Sequence, residues 1–365
     1  MNHKLRQQKL QRELEQSRLN AVLITSLPNI RYLCGFTGSA AALLVSKSQS
    51  IFFTDGRYIT QAQTEVHGSR IVVGRKAPLI SAAEWFRGKA KCPGAPGKFT
   101  LGIEAEHLTV VDRQRLARSL ALSVRLGVAS PWVEKARILK DADEIKSIRA
   151  AVLLGAGLFE VVLKTIGPGV RETEVAAELE YAARRAGAES MSFETIIASG
   201  PRSALPHGRA STAPIPSRGF VVCDFGVILA GYCSDMTRTV HVGRPTVEAR
   251  RTYEAVREAQ QAAVATVKPG VSLSEVDGAA RNVLKRHGLG RYFTHSTGHG
   301  VGLEIHEAPR VAKGQNELLQ PGMVITIEPG VYIPGKCGVR IEDMVVVTDR
   351  GCEILTPTGK EMIAV

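Results

Sequence analysis

The chain lacks any long apolar run. Its longest aliphatic stretch, Ala40 to Val45, is a fraction of the ~20 residues a membrane helix needs. No apolar segment follows the charged opening M-N-H-K-L-R-Q-Q-K-L-Q-R-E-L-E, which reads as an amphipathic helix and argues against a secretory leader. Aromatics are scarce at 5%, poor material for stacking on bases. The six cysteines (34, 92, 223, 233, 337, 352) form no C-x-x-C pair, so they are expected as reduced thiols of a cytoplasmic protein rather than as a disulfide framework. Positive charge is plentiful, at a net +12, but it is unevenly placed. Residues 1–140 hold 22 Lys and Arg against 9 Asp and Glu, and the remainder is close to neutral. That excess is interspersed rather than clustered, so neither a nucleic-acid nor a membrane partner is expected.

What is present is ordinary globular material, 44% hydrophobic and 22% charged over 365 residues, enough for two domains. Apolar runs at Ala21–Ile24, Leu43–Val45, Ile51–Phe53 and Ile71–Val73 alternate with helical stretches, the signature of an α/β unit. G-F-T-G-S (35–39) lacks a following G-K-[ST], so a tight turn is expected there, not a phosphate cradle. Pro and Gly mark 89–98 as a surface loop. The basic-to-neutral shift places a boundary near Arg137, giving domains 1–137 and 138–365. Asp141, Asp143 and Glu144 then open a long helix to about Ile166.

The second domain repeats itself. P-G-V-R-E-T-E-V (168–175) and P-G-V-S-L-S-E-V (269–276) stand 101 residues apart, and each opens a helix that closes at a glycine. Thr173 and Ser274 are the expected N-caps. Two similar halves about a pseudo-twofold axis follow from this pattern.

Each half ends in a hairpin carrying two acids on apolar strands. In F-V-V-C-D-F-G-V-I-L-A-G-Y-C-S-D-M-T-R-T-V, a turn centred between Leu229 and Ala230 sets Asp224 opposite Asp235. In the second hairpin a turn centred on Gly335 sets Glu328 opposite Glu342, with Arg340 on the Glu342 face and Ile341 and Val345 on the other. Between them lies H-S-T-G-H-G-V-G-L-E-I-H-E, with His295, His299 and His306. A lone acid of this kind is ordinarily a cap or a solvated group. Four placed independently within apolar strands are not, and paired carboxylates repel unless a cation lies between them. Four carboxylates and one imidazole favour two divalent ions, Mn²⁺ first with Co²⁺ or Fe²⁺ as alternatives, over a lone structural Zn²⁺. Paired ions can share a hydroxide as nucleophile.

These motifs, D-F-G…S-D-M-T-R-T, S-T-G-H-G-V-G-L-E-I-H-E, T-I-E-P-G-V-Y and V-R-I-E-D, resemble those of the pita-bread metallopeptidases of the Xaa-Pro aminopeptidase and Xaa-Pro dipeptidase (prolidase) group. G-F-T-G-S and T-D-G-R-Y resemble the creatinase-type N-terminal domain that the group carries. The resemblance implies an α/β creatinase-like domain followed by an α+β pita-bread domain. It implies Asp224, Asp235, His299, Glu328 and Glu342 as ligands of two metal ions, with Asp235 and Glu342 bridging, and peptides with proline at the second position as substrates. Attack by a metal-bridging hydroxide is implied, with Glu328 passing the proton and His207 polarising the carbonyl. His306 and His295 are implied near the scissile bond and the proline pocket. Arg340 is implied near a bridging ligand, paired with Asp235 or a substrate carboxylate, and Tyr332 as a donor to a ligand carboxylate. A homodimer is also implied. A methionine aminopeptidase, which usually lacks the N-terminal domain, and a metal-free peptide-binding module, which has lost its ligands, are the alternatives.

Overall fold

The computed structural model describes residues 1–89, 99–121 and 123–365. The surface loop expected over 89–98 and Cys92 therefore fall, but for Lys89, outside the described residues.

Short aliphatic runs build the sheet of a first unit, Met1–Arg137. Its strands are β1 (Ala21–Ile24), β2 (Ala42–Ser46), β3 (Ser50–Asp55), β4 (Arg70–Gly74), β5 (Phe99–Ile103) and β6 (Val124–Val128), in the order β4-β3-β2-β1-β5-β6. β2 is antiparallel to both neighbours, while β3–β4, β1–β5 and β5–β6 are parallel. Parallel neighbours need crossovers. Helices α1 (His3–Glu15), α2 (Leu27–Cys34), α3 (Ile59–Glu65), α4 (Pro78–Lys89), α5 (Val110–Ser119) and α6 (Trp132–Ile138) alternate with the strands. Gly35 closes α2 at a φ of 90°, the turn role expected for G-F-T-G-S, and Ser39 Oγ meets the Tyr58 hydroxyl of T-D-G-R-Y at 2.6 Å.

The second unit, Ile138–Val365, opens with α7 (Ala142–Thr165). Asp141 and Glu144 form a reciprocal cap: the Asp141 carboxylate accepts the Glu144 N–H at 2.9 Å, and Glu144 accepts the Asp141 N–H at 3.0 Å. α8 (Glu172–Arg185), β7 (Ser190–Met191), β8 (Ile196–Ser199), β9 (Gly219–Phe225), β10 (Val227–Leu229), β11 (Tyr232–Cys233) and β12 (Met236–Val242) complete the first half. α9 (Val247–Thr266), α10 (Leu273–Arg286), β13 (Gly298–Gly300), β14 (Glu307–Val311), β15 (Val324–Ile327), β16 (Gly330–Ile333), β17 (Cys337–Arg340) and β18 (Asp343–Val347) follow. Each half buries two helices against its strands. Phe159, Val175 and Leu179 pack on Val221, Phe225 and Val240 in one half. Val256, Val276 and Leu284 pack on Ile325, Ile327 and Val345 in the other. Among the described residues no helix is long and apolar enough to cross a membrane.

The repeat extends to the hydrogen bonds. Gly169, Glu172 and Thr173 donate their N–H groups to Ile215, Ala213 and Ser211, as Gly270, Leu273 and Ser274 do to Leu319, Glu317 and Gln315. α8 and α10 both end at a left-handed glycine, Gly187 (φ 98°) and Gly288 (φ 72°). The N-caps lie two residues earlier than expected, at Arg171 and Ser272. Glu174 and Glu275 select them by accepting the cap N–H, at 2.7 and 2.9 Å. Thr173 and Ser274 are left inside the first turn.

Candidate metal centre

The first hairpin turns at Ala230 and Gly231, both with positive φ (49° and 78°). Leu229 therefore faces Tyr232, and Asp224 faces Thr237 rather than Asp235. The register differs from the expected one by two residues, which keeps every side chain on its face. Asp235 lies just beyond β11, diagonal to Asp224. Gly226 makes this possible, because a Cβ there would stand 1.8 Å from the Ser234 carbonyl oxygen. The second hairpin has the expected register. Gly330 faces Arg340, Ile333 faces Cys337, and Ile327 faces Asp343, so Glu328 and Glu342 lie opposite each other. Ile341 and Val345 enter the core, as parity requires.

His299 stands at the centre of β13 between two glycines. A Cβ on Gly298 would be 1.9 Å from the Thr326 carbonyl oxygen, so only glycine lets β13 lie this close to β15. His299 Nδ1 is 3.0 Å from the Gly300 carbonyl, which can only accept. Nδ1 therefore carries the hydrogen, and Nε2 turns its lone pair toward Glu328 Oε1 (3.5 Å) and Asp235 Oδ2 (3.6 Å). Asp235, His299 and Glu342 each offer a ligand atom within 4.8 Å of the others.

All five expected ligands, with His207, His295, His306 and Arg340, line one cavity of about 630 Å³. Burial drives their electrostatics. Desolvation pushes the carboxyls of Asp235 and Glu342 well above the ordinary range, and the neighbouring acids add to it. Glu328 is raised to about 8 for the same first reason. Burial lowers His299 to about 4, so its imidazole is neutral at pH 7, and His295 likewise to about 4. His306 is also lowered by burial, and its ring lies edge-on to His299 with centroids 4.4 Å apart.

Arg340 is placed differently from expectation. Its guanidinium pairs with Asp224, not Asp235, and its other donors go to the Thr237 hydroxyl (3.1 Å), the Pro206 carbonyl (2.9 Å) and the Tyr332 hydroxyl (2.6 Å). Four of its five N–H donors are thus used inside the protein, and the side chain is buried. Tyr332 reaches no ligand acid. It accepts from Arg340 and donates to His295 Nε2 (2.9 Å), whose Nδ1–H is held by the Ser296 carbonyl (2.7 Å).

Two residues of the site went unmarked in the sequence. The Thr237 hydroxyl donates to Glu342 Oε2 at 2.7 Å, and its alternation with Asp235 was the available signal. Arg310, the strand partner of His299 on β14, lines the cavity, is exposed, and has no hydrogen bond or ion pair among the described residues. A single arginine in A-P-R-V carries no sequence signal for that placement. Of the histidines that the motifs leave out, His241 is buried with its Nδ1 on the Gly243 carbonyl.

The model of metallopeptidase family M24 matches residues 146–349, and that of the creatinase/prolidase N-terminal domain matches residues 6–139. The chain is 40% identical to the uncharacterized peptidase YqhT of Bacillus subtilis, over 98% of this chain and 99% of that one. It is 37% identical to the Xaa-Pro dipeptidase of Pyrococcus horikoshii, over 100% and 99%. The solved Xaa-Pro dipeptidase from Bacillus anthracis superposes with a TM-score of 0.94 at 40% identity, covering both chains completely. The duplicated α+β unit, the acid-lined cavity and these matches agree, and the chain belongs to metallopeptidase family M24, with a creatinase/prolidase N-terminal domain ahead of the catalytic unit.

Proposed function

We propose that this enzyme hydrolyses the bond between an N-terminal residue and a following proline in short peptides, with Asp224, Asp235, His299, Glu328 and Glu342 holding two divalent cations. The observation that carries the cation site is a set of stranded acceptors. Asp224 Oδ1, Asp235 Oδ1 and Glu342 Oε1 are buried with no donor among the described residues. Buried carboxylate oxygens are costly without a cation or a donor. Four acids and one neutral imidazole make an oxygen-rich donor set that suits Mn²⁺, with Co²⁺ and Fe²⁺ as alternatives. When bound, such ions supply Lewis acidity to a carbonyl and lower the pKa of water.

The remaining work falls to side chains. Glu328, on the cavity wall with its Oε1 3.5 Å from His299 Nε2, is the carboxylate that would take a proton from water and return it to the prolyl nitrogen. His207 and His306, both exposed on the cavity wall, are placed to hydrogen-bond the scissile carbonyl oxygen. His295, locked by Tyr332 and the Ser296 carbonyl, shares the cavity wall with Phe193 and Ile305, whose apolar side chains suit a proline ring. Arg340 and Tyr332 act by orienting Asp224 and His295. The Pyrococcus horikoshii relative named an Xaa-Pro dipeptidase supports the substrate class.

Arg310 favours a dipeptidase over a longer-peptide aminopeptidase, because an unpaired guanidinium beside the site can receive the carboxylate that ends a dipeptide. The five free thiols among the described residues suit a cytoplasmic enzyme, and the resemblance suggests a homodimer, which sedimentation tests. Metal-stripped protein reloaded with Mn²⁺ is assayed on Ala-Pro, Ala-Pro-amide, Ala-Pro-Ala and Met-Ala. We expect Ala-Pro to be cleaved best and the amide poorly. Turnover after exhaustive chelation sinks the metal reading, and preference for Met-Ala makes the enzyme a methionine aminopeptidase.

A further inference from the structure

The first half of the catalytic unit hangs a long loop on one buried acid. Glu172, the first residue of α8, is 0% exposed. Its Oε1 accepts the Ser199 N–H (2.8 Å) and hydroxyl (2.9 Å). Its Oε2 accepts the Ser211 N–H (3.1 Å), the Ser211 hydroxyl (2.7 Å) and Arg202 Nε (3.0 Å). Ser199 and Ser211 are the two ends of the segment that carries His207. Arg202, so held, donates in turn to the Arg209 carbonyl (2.8 Å), while Arg340 holds the Pro206 carbonyl (2.9 Å). The exposed His207 is therefore bracketed on both sides.

The duplicated half shows that this architecture does not need an acid at the start of the helix. Leu273 occupies the same place on α10, equally buried, and gives its N–H to Glu317 as Glu172 gives its own to Ala213. A carboxylate buried where leucine also serves must be satisfied by several donors to be tolerated, and here all of them come from the His207 loop. We infer that Glu172 is a positioning residue for His207, fixing the 199–211 loop so that the imidazole is held over the metal cavity. This rests on the proposed role of His207 and names what makes that role achievable.

The test uses the full Mn²⁺-loaded chain with Glu172→Leu, Glu172→Gln, Arg202→Met and His207→Ala, singly and as pairs with His207→Ala. kcat and KM on Ala-Pro, metal content and melting temperature are read for each. Displacement of a positioned group by about 1 Å costs on the order of 10²-fold, so Glu172→Leu should lower kcat by ~10²-fold with KM and metal content unchanged. The pair Glu172→Leu with His207→Ala should be no slower than His207→Ala alone. Glu172→Gln, which keeps the side chain's shape and weakens its hold on the loop donors, should show the same non-additivity at smaller loss, and decides the matter if Glu172→Leu or Arg202→Met fails to fold. A pair losing the product of the two single factors overturns the inference alone. An unchanged kcat in His207→Ala removes the reading of His207, and the inference with it.

Discussion

Loading the catalytic unit with metal should expel protons, and the number is calculable from the cavity. Glu328 keeps 16% side-chain exposure yet is raised to about 8 by burial, so in the metal-free protein at pH 7 it is ~90% protonated. Asp235 and Glu342 are also raised well above their ordinary values, because burial and neighbouring acids oppose their ionisation. His299, lowered to about 4, is already neutral and contributes nothing. Titrating Mn²⁺ into chelated protein at pH 7 should therefore release roughly one to three protons per site. At pH 9 the Glu328 share should fall to ~0.1. The sign for stability follows from the same shift. A carboxyl whose folded value lies above its unfolded one stabilises the metal-free fold fully below about pH 4.5, and that stability is lost as pH rises through about 8. Bound metal reverses the trend. At 100-fold excess over its Kd it adds about 2.7 kcal/mol, which for a unit of this size raises the melting temperature by roughly 5–10 °C. Calorimetric titration in two buffers of different ionisation enthalpy counts the protons, and thermal unfolding from pH 5 to 8 reads the stability. Metal uptake without proton release at pH 7, or metal-free melting indifferent to pH, refutes the reasoning.

Glu328→Gln, which keeps the shape and removes the proton acceptor, should lower kcat by roughly 10²–10⁴-fold with a smaller change in KM; steady-state kinetics on Ala-Pro with unchanged kcat dismisses the shuttle role. Gly298→Ala places a methyl 1.9 Å from the Thr326 carbonyl oxygen, so β13 and β15 must part, at a cost of about 3 kcal/mol or more; an unchanged urea midpoint contradicts the close approach.

The sequence alone determined a good deal of this protein. Apolar runs identified four of the six first-unit strands, β1 to β4, because a buried strand imposes that pattern locally, while β5 and β6, interrupted by Gly102, Arg125 and Gly127, went unmarked. The repeat at offset 101 announced two halves, and the register about Gly335 set Glu328 opposite Glu342, since a glycine-rich turn and side-chain parity are both local properties. The first hairpin failed where the local signal failed. Its turn needs Ala230 at positive φ, which an alanine does not advertise, so Asp224 faces Thr237 instead of Asp235. Only the tertiary structure decided which groups meet across the two halves. Arg340 meets Asp224 across the halves, 116 positions away, and within the second half Tyr332 meets His295, 37 positions away, because neither pairing has a local signal and both form only when the cores pack. The same holds for Glu172. In the sequence it is one more acid in the first turn of a helix, and its grip on the His207 loop exists because folding brings Ser199 and Ser211 to one carboxylate.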